Sequence, residues 1–368
     1  MTINFNVMRI RTLFCAAVAV SVAASCARVT DVTKISGMVS GEDVTEVNIL
    51  VPDLKIDTTV AVKNGRFYCE IPADVTVMGS ISAGDKGVQF VPDGTALKVE
   101  LADANVVKSS VEHVQNAFAE YTEYTKNISE ELRTRMDEIR SKAELSEEEM
   151  EAQIDEVYDE LSGKFSEYNE KVVTKNNDNV VGLVALQNWA GELEDHQVDS
   201  VINTLSSKIK ENKFVKRLSG AIAARNNTAE GKKFTDFTIE NSDGKTVKFS
   251  DFVGKGKYVL VDFWASWCGP CKREIPNIKA VYDKYKGREF DVLSVAVWDR
   301  PEATKASAEE HGVVWSQIIN AQSVPTEIYG IEGIPHIMLI GPDGTILKRN
   351  LRGEGIEAEV AKYVKARK

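Results

Sequence analysis

Two cysteines three positions apart, in Trp267-Cys268-Gly269-Pro270-Cys271, have the types and spacing for redox chemistry. They follow an apolar run, 258–264, and precede a helical pattern, 275–285, which puts them at a strand-to-helix junction. At a helix start the unpaired amide N–H groups and the helix dipole favour a thiolate on the first cysteine. Cys268 is therefore expected to be an exposed nucleophile. Cys271, one turn further in, is expected to be the more buried thiol that resolves a mixed disulfide. Half a zinc site is the competing use of such a pair. Structural zinc takes four ligands, yet the chain has no second C-x-x-C, and His113, His196, His311 and His336 show no ligand spacing. No metal and no other cofactor is expected. Lys272 follows the pair where covalent haem attachment requires His, which excludes that role.

The other three of the five cysteines are Cys15, Cys26 and Cys69. Arg9 and Arg11, an apolar run over 13–24 and small residues before Cys26 have the layout of a signal peptide spanning 1–26, with either Met1 or Met8 as the start. The run is too short to cross a bilayer. Small residues directly before a cysteine resemble the bacterial lipoprotein signal, which implies lipidation at Cys26 and a membrane-anchored, periplasm-facing protein of the cell envelope. At 368 residues, 43% hydrophobic and 27% charged, the chain has the usage of two or three globular domains. Its net charge of −11 lacks the cation surplus that phosphate binding requires, so no nucleic-acid partner is expected.

The elements that must position the pair can be read from periodicity. Short alternating segments over 27–104 predict a small all-β, sandwich-like domain. Within it Asn64-Gly65 predicts a type I′ hairpin turn, with Phe67, Cys69 and Ile71 on one inward face. Cys69 is expected there as a small core hydrophobe. The period then lengthens over 105–231, an α-helical region. Val107, Val111, Val114, Phe118, Tyr121 and residues onward to Ile139 form one stripe. Ser146 and Glu149 form a capping box that starts a second helix. Further helical patterns cover 180–189, 198–209 and 214–224, and the polar stretch 226–233 reads as a linker. Over 232–368 strands alternate with helices, predicting an α/β domain with a mixed sheet.

Residues 261–272, Val-Asp-Phe-Trp-Ala-Ser-Trp-Cys-Gly-Pro-Cys-Lys, resemble the active-site strand and helix of thioredoxin, and Gly333-Ile334-Pro335 resembles its cis-proline loop. From Phe234 onward the chain is similar to the membrane-anchored thiol-disulfide oxidoreductases of the TlpA and ResA type. The resemblance implies a thioredoxin-like fold for 232–368, with Cys268 and Cys271 forming the redox disulfide. It further implies Pro335 in cis, with the Ile334 backbone beside Cys268 to meet a client, and a proton acceptor for Cys271 in Asp262 or Glu274. Trp267, Gly269 and Pro270 would shape the client-binding surface. His336 stands where thioredoxin has Thr. The implied function is reduction of disulfides in exported proteins, recharged by a membrane thiol donor; the sequence does not identify the client, and apocytochrome c thiols, damaged envelope disulfides and sulfenic acids all fit. Two alternatives are an envelope lipoprotein whose upstream domains bind the client, with the thioredoxin part auxiliary, and a thiol peroxidase. The peroxidase pattern P-x-x-x-[TS]-x-x-C is absent, because Ala265 and Val261 stand where it needs Thr or Ser and Pro.

Overall fold

The computed structural model describes residues 29–41, 44–102 and 105–366. The expected signal segment, with Cys15 and Cys26, lies outside them. The chain divides into two compact units, residues 1–137 and 138–368.

The first unit is a β-sandwich. Its strands are β1 Val32–Val39, β2 Glu46–Val51, β3 Ile56–Ala61, β4 Arg66–Pro72, β5 Gly79–Ala83, β6 Lys86–Phe90, β7 Ala96–Leu101 and β8 Val106–Ser109. Two four-stranded sheets, ordered β4-β1-β7-β8 and β3-β2-β5-β6, enclose a core of Ile35, Ile49, Ile81, Phe90, Leu97 and Leu101. Each such side chain, fully buried, contributes roughly 1.5–3 kcal/mol before entropy is counted. Gly37 is needed in β1 because an added Cβ would lie 2.2 Å from the Phe67 ring. Asn64 and Gly65 both take positive φ, as the expected turn requires. The hairpin itself does not extend: beyond one Lys63–Arg66 bridge, β3 and β4 part into different sheets. Each buries one face, so the alternation is the same for a hairpin and for a corner between sheets. Cys69 shares the face of Phe67 and Ile71 and is half-buried against the core.

The helix α1 runs Val114–Arg140, later than the stripe from Val107 suggests. Val107 lies in β8 and fills the sandwich core instead. A buried network anchors the helix start: Asp93 accepts from the Gln115 N–H at 2.9 Å, and Gln115 Oε1 accepts from the Val91 N–H at 2.7 Å.

In the second unit α2, Glu147–Lys175, opens with the Ser146/Glu149 capping box. It is followed by α3 Val180–Trp189, α4 Asp195–Thr204, α5 Ser207–Lys210 and α6 Lys213–Asn227. The pattern over 198–209 is therefore two helices, broken where the Ser206 hydroxyl caps α5. Beyond α6 come β9 Thr238–Glu240, β10 Thr246–Lys248, β11 Tyr258–Trp264, α7 Gly269–Tyr285, β12 Phe290–Ala296, α8 Pro301–Glu310, β13 Ser316–Ile318, α9 Val324–Tyr329, β14 His336–Ile340, β15 Ile346–Lys348 and α10 Glu354–Val360. The sheet order is β13-β12-β11-β14-β15, with β11, β12 and β13 parallel and β14 antiparallel to β11. This is a thioredoxin-like sheet.

Alternation along β11 decides what faces what. Val259, Val261 and Phe263 pack with Phe237, Phe249 and Tyr329 on one side. Leu260 and Trp264 pack with Ile275, Ile278 and Ile356 of α7 and α10 on the other. Asp262 shares the parity of Leu260 and Trp264, so it points to the face that α7 covers.

The stretch 226–233, expected as a linker, is fastened along its length. Gly231 N–H donates to the Ile346 carbonyl and Ile346 N–H to the Lys232 carbonyl, both at 2.8 Å. Arg349 donates to the Thr228 carbonyl and hydroxyl and to the Tyr329 carbonyl, at 2.6–2.9 Å. Fully buried Thr228 belongs to the fold rather than to a solvated tether.

Candidate active site

Cys268 is the N-cap of α7. Its Sγ accepts the Cys271 N–H at 3.1 Å, and the two cysteines are joined as a disulfide. Gly269 and Pro270 start the helix, where the missing proline N–H removes no helical bond. The Ile334–Pro335 peptide is cis, and the Ile334 carbonyl oxygen lies 3.7 Å from Cys268 Sγ. That places Cys268, Cys271, Ile334 and Pro335 together. The expected exposure of Cys268 is corrected: it is 3% accessible against 2% for Cys271, because Cys268 sits in the core cluster with Cys271 and Ile334 packs against it. Around the pair the accessible surface belongs to Trp267, 60% exposed, with Pro270 and Gly333.

Trp267 is held from outside the cysteine motif. Its Nε1–H donates to the Trp298 carbonyl at 3.0 Å. The preceding Ser266 donates its N–H and hydroxyl to Asp299 at 2.7 and 3.0 Å, and Asp299 also accepts from Thr304 Oγ1 at 2.8 Å and the Arg300 N–H at 2.8 Å. Desolvation pushes the Asp299 carboxyl up, but these donors together outweigh it and hold the group below its usual range. Ser266, Trp267, Trp298, Asp299 and Arg300, with Pro301 and Gln322, line a hollow of about 430 Å³.

Asp262 is 2% accessible. Burial pushes its carboxyl up to about 7, against the opposing pull of a Ser294 hydrogen bond and the Arg352 charge. Ser294 Oγ donates at 3.2 Å to Asp262 and accepts from Trp315 Nε1–H at 2.9 Å, a chain of dipoles inside the sheet face. Glu274 is half-buried. Its Oε2 accepts from Asn277 Nδ2 at 2.9 Å and from the Gly353 N–H at 3.0 Å, so it ties α7 to the segment before α10. The ring of His336 is held neutral: burial, aided by Arg349 and Arg352, pushes it down to about 3. Its Nε2 is buried without a hydrogen-bond partner among the described residues.

Sequence reasoning missed Ser294, Trp298, Asp299, Arg349 and Arg352. Ser294 carried a signal, being a polar residue inside the apolar run 290–297. The others are loop residues, each with at least one partner more than fifteen positions away.

A disulfide at the start of a helix, a cis-proline loop against it and a buried acid on the covered face of β11 define a thioredoxin-like oxidoreductase domain. Residues 231–349 match the AhpC/TSA family. The thiol-disulfide oxidoreductase ResA of Bacillus subtilis is 28% identical over 130 residues, 35% of this chain and 72% of its own. ResA of Geobacillus thermodenitrificans is 30% identical over 120 residues, 33% and 68% of the two chains. A crystal structure of the thioredoxin domain of a thiol-disulfide oxidoreductase from Bacteroides vulgatus is 34% identical, covering 37% of this chain and 99% of that one with a TM-score of 0.34. The chain belongs, through its C-terminal part, to the ResA family of thiol-disulfide oxidoreductases. No helix among the described residues is long and apolar enough to cross a membrane.

Proposed function

We propose that this protein reduces disulfides of exported proteins through the Cys268/Cys271 dithiol, with Cys268 attacking and Cys271 resolving. The observation that carries this is the placement of Cys268 Sγ at the amino end of α7 and 3.7 Å from the Ile334 carbonyl. Helix amides stabilise a thiolate there, and the cis-proline loop presents backbone to a client strand. Once Cys268 holds a client sulfur, Asp262 or Glu274 takes the Cys271 proton as Cys271 attacks. Trp267, Gly269, Pro270, Ile334 and Pro335 form the surface that the client meets.

An amino-terminal signal with Cys26 as lipid anchor would hold the protein at the periplasmic face, with a β domain over 27–104, a helical region over 105–231 and the redox domain over 232–368. In that compartment the dithiol must be recharged by a membrane thiol donor. The helical region takes part in client recognition on this reading: a cleft of about 740 Å³ runs between Val198, Phe214 and Leu218 on one side and Gly333 and His336 of the cis-proline loop on the other.

The test is trapping in the cell envelope. Removing only the resolver freezes the mixed disulfide, so Cys271→Ser is expected to accumulate reducible client adducts through Cys268, and Cys268→Ser few. Non-reducing electrophoresis with mass spectrometry of the adducts checks this, and more adduct with Cys268→Ser would reverse the assignment.

A further inference from the structure

The connection between β15 and α10 touches three parts of the redox site in three consecutive residues. Leu351 N–H donates to the Ile337 carbonyl at 3.0 Å, two residues past the cis-proline. Arg352 donates Nη2–H to the carbonyl of Pro335 itself, and Nη1–H to the Leu351 carbonyl at 2.7 Å. Gly353 N–H donates to Glu274, three residues past Cys271. Gly353 adopts φ 51 and ψ −134, backbone that suits glycine and turns the chain back onto α7. The guanidinium is thereby fixed on the cis-proline loop, while its charge acts on both Asp262 and Glu274.

The groups bearing on Asp262 come from each element packed against it: Ser294 from β12, apolar Ile337 from β14, Glu274 from α7 and Arg352 from the connection. Glu274 opposes ionisation of Asp262, and Arg352 is the cation that favours it.

We propose that Arg352 is a positioning residue for the resolving step, holding the cis-proline loop in place and keeping Asp262 available as the proton acceptor for Cys271. This rests on the thiol-disulfide reading above. In that step the Cys271 thiol gives its proton to the Asp262 carboxylate and its sulfur attacks Cys268 Sγ. The Cys268–client S–S bond breaks, and the client sulfur leaves as a thiolate. Two electrons pass from the protein dithiol to the client disulfide, and an added dithiol restores the pair.

Without the Arg352 charge, burial and Glu274 act on Asp262 with less opposition. Its carboxylate fraction at neutral pH then falls, and resolution slows there but recovers in alkali. The two contributions of Arg352 separate by substitution: Arg352→Gln removes the charge, whereas Arg352→Lys keeps the charge and loses the fork that spans the Pro335 and Leu351 carbonyls.

The test is insulin reduction by the full chain with dithiothreitol as reductant, measured across about pH 5 to 9. Arg352→Gln is expected to move the midpoint of the resolving rate up by roughly one pH unit. Arg352→Lys is expected to keep the parent midpoint and raise KM for insulin several-fold. In an Asp262→Asn background Arg352→Gln should add no shift. An unmoved midpoint in Arg352→Gln, equal shifts in the Gln and Lys variants, or a shift that persists without Asp262 would each overturn the proposal. A parent chain that attacks small disulfides but leaves insulin intact would instead overturn the client reading beneath it.

Discussion

Asp262 lies on the covered face of β11, where burial disfavours its charged form and raises the pH at which it releases its proton. Unfolded, such a carboxyl titrates near 3.8; folded, near 7. Between those values the native state holds more protons than the unfolded one, so this residue makes stability fall as pH rises through the window. His336 works in the opposite sense. Its folded value of about 3 against 6.5 unfolded means that the unfolded chain takes a proton the native chain refuses, and stability is lost as pH falls through that range. Asp262→Asn removes the first effect with little change of shape. It is expected to stabilise the second unit at pH 8 by on the order of 2–4 kcal/mol and to change little near pH 4. Urea unfolding followed by tryptophan fluorescence at the two pH values checks this, and an equal change at both would show that Asp262 does not hold its proton. The same variant is expected to slow resolution more than the initial attack by Cys268.

At the scale of elements, the redox motif owes its shape to a loop more than thirty residues away. Asp299 fastens Ser266, just before Trp267, to the first turn of α8 through Arg300 and Thr304. Removing a carboxylate that satisfies several donors leaves them partly orphaned, at about 1–3 kcal/mol. Asp299→Ala is therefore expected to lower the unfolding midpoint and raise KM for a protein disulfide several-fold, while reaction with a small aromatic disulfide stays within about twofold. Parallel kinetics on the two substrates measure this, and equal losses on both would place Asp299 in the chemistry instead. The sequence distance of such contacts also separates what is legible in the sequence from what is not. β11, the start of α7 and the cis-proline loop are local patterns, legible from apolar runs and from Cys and Pro positions. Asp262 was legible as a charge inside an apolar run. Partition of β3 and β4 between sheets was not, since alternation has one period in either arrangement. Nor was the start of α1, because Val107 and Val111 fall at helical spacing from Val114 although Val107 belongs to a strand. Arg352 gives no local signal: an exposed arginine gains its meaning only when residues seventeen and seventy-eight positions earlier, Pro335 and Glu274, are brought against its loop.

Within the second unit the helical segment and the redox domain are joined through the cis-proline loop. Arg225 of α6 forks onto Asp195 of α4 at 2.7 and 2.8 Å and reaches Glu332 at 2.9 Å, three residues before Pro335. Gly330 takes positive φ against α6, where an added Cβ would meet the Ala221 carbonyl at 2.5 Å. Close backbone approach and a forked ion pair thus border the 740 Å³ cleft beside the cis-proline loop. An ion pair this accessible contributes modestly to stability on its own, about 1 kcal/mol or less. Its greater effect is on geometry, because it ties α6 to Glu332 beside the cis-proline loop. Arg225→Ala is accordingly expected to cost little in thermal stability and to leave the reaction of Cys268 with a small disulfide within about twofold. Its KM for a protein disulfide should rise by about tenfold, the signature of lost binding rather than lost chemistry. Leu218→Gln, which places an amide in the cleft about two turns earlier on α6 without touching the ion pair, should raise KM in the same direction. If both variants reduce insulin with the parent's KM, the cleft takes no part in recognition and the client is held by Trp267, Pro270 and the cis-proline loop alone.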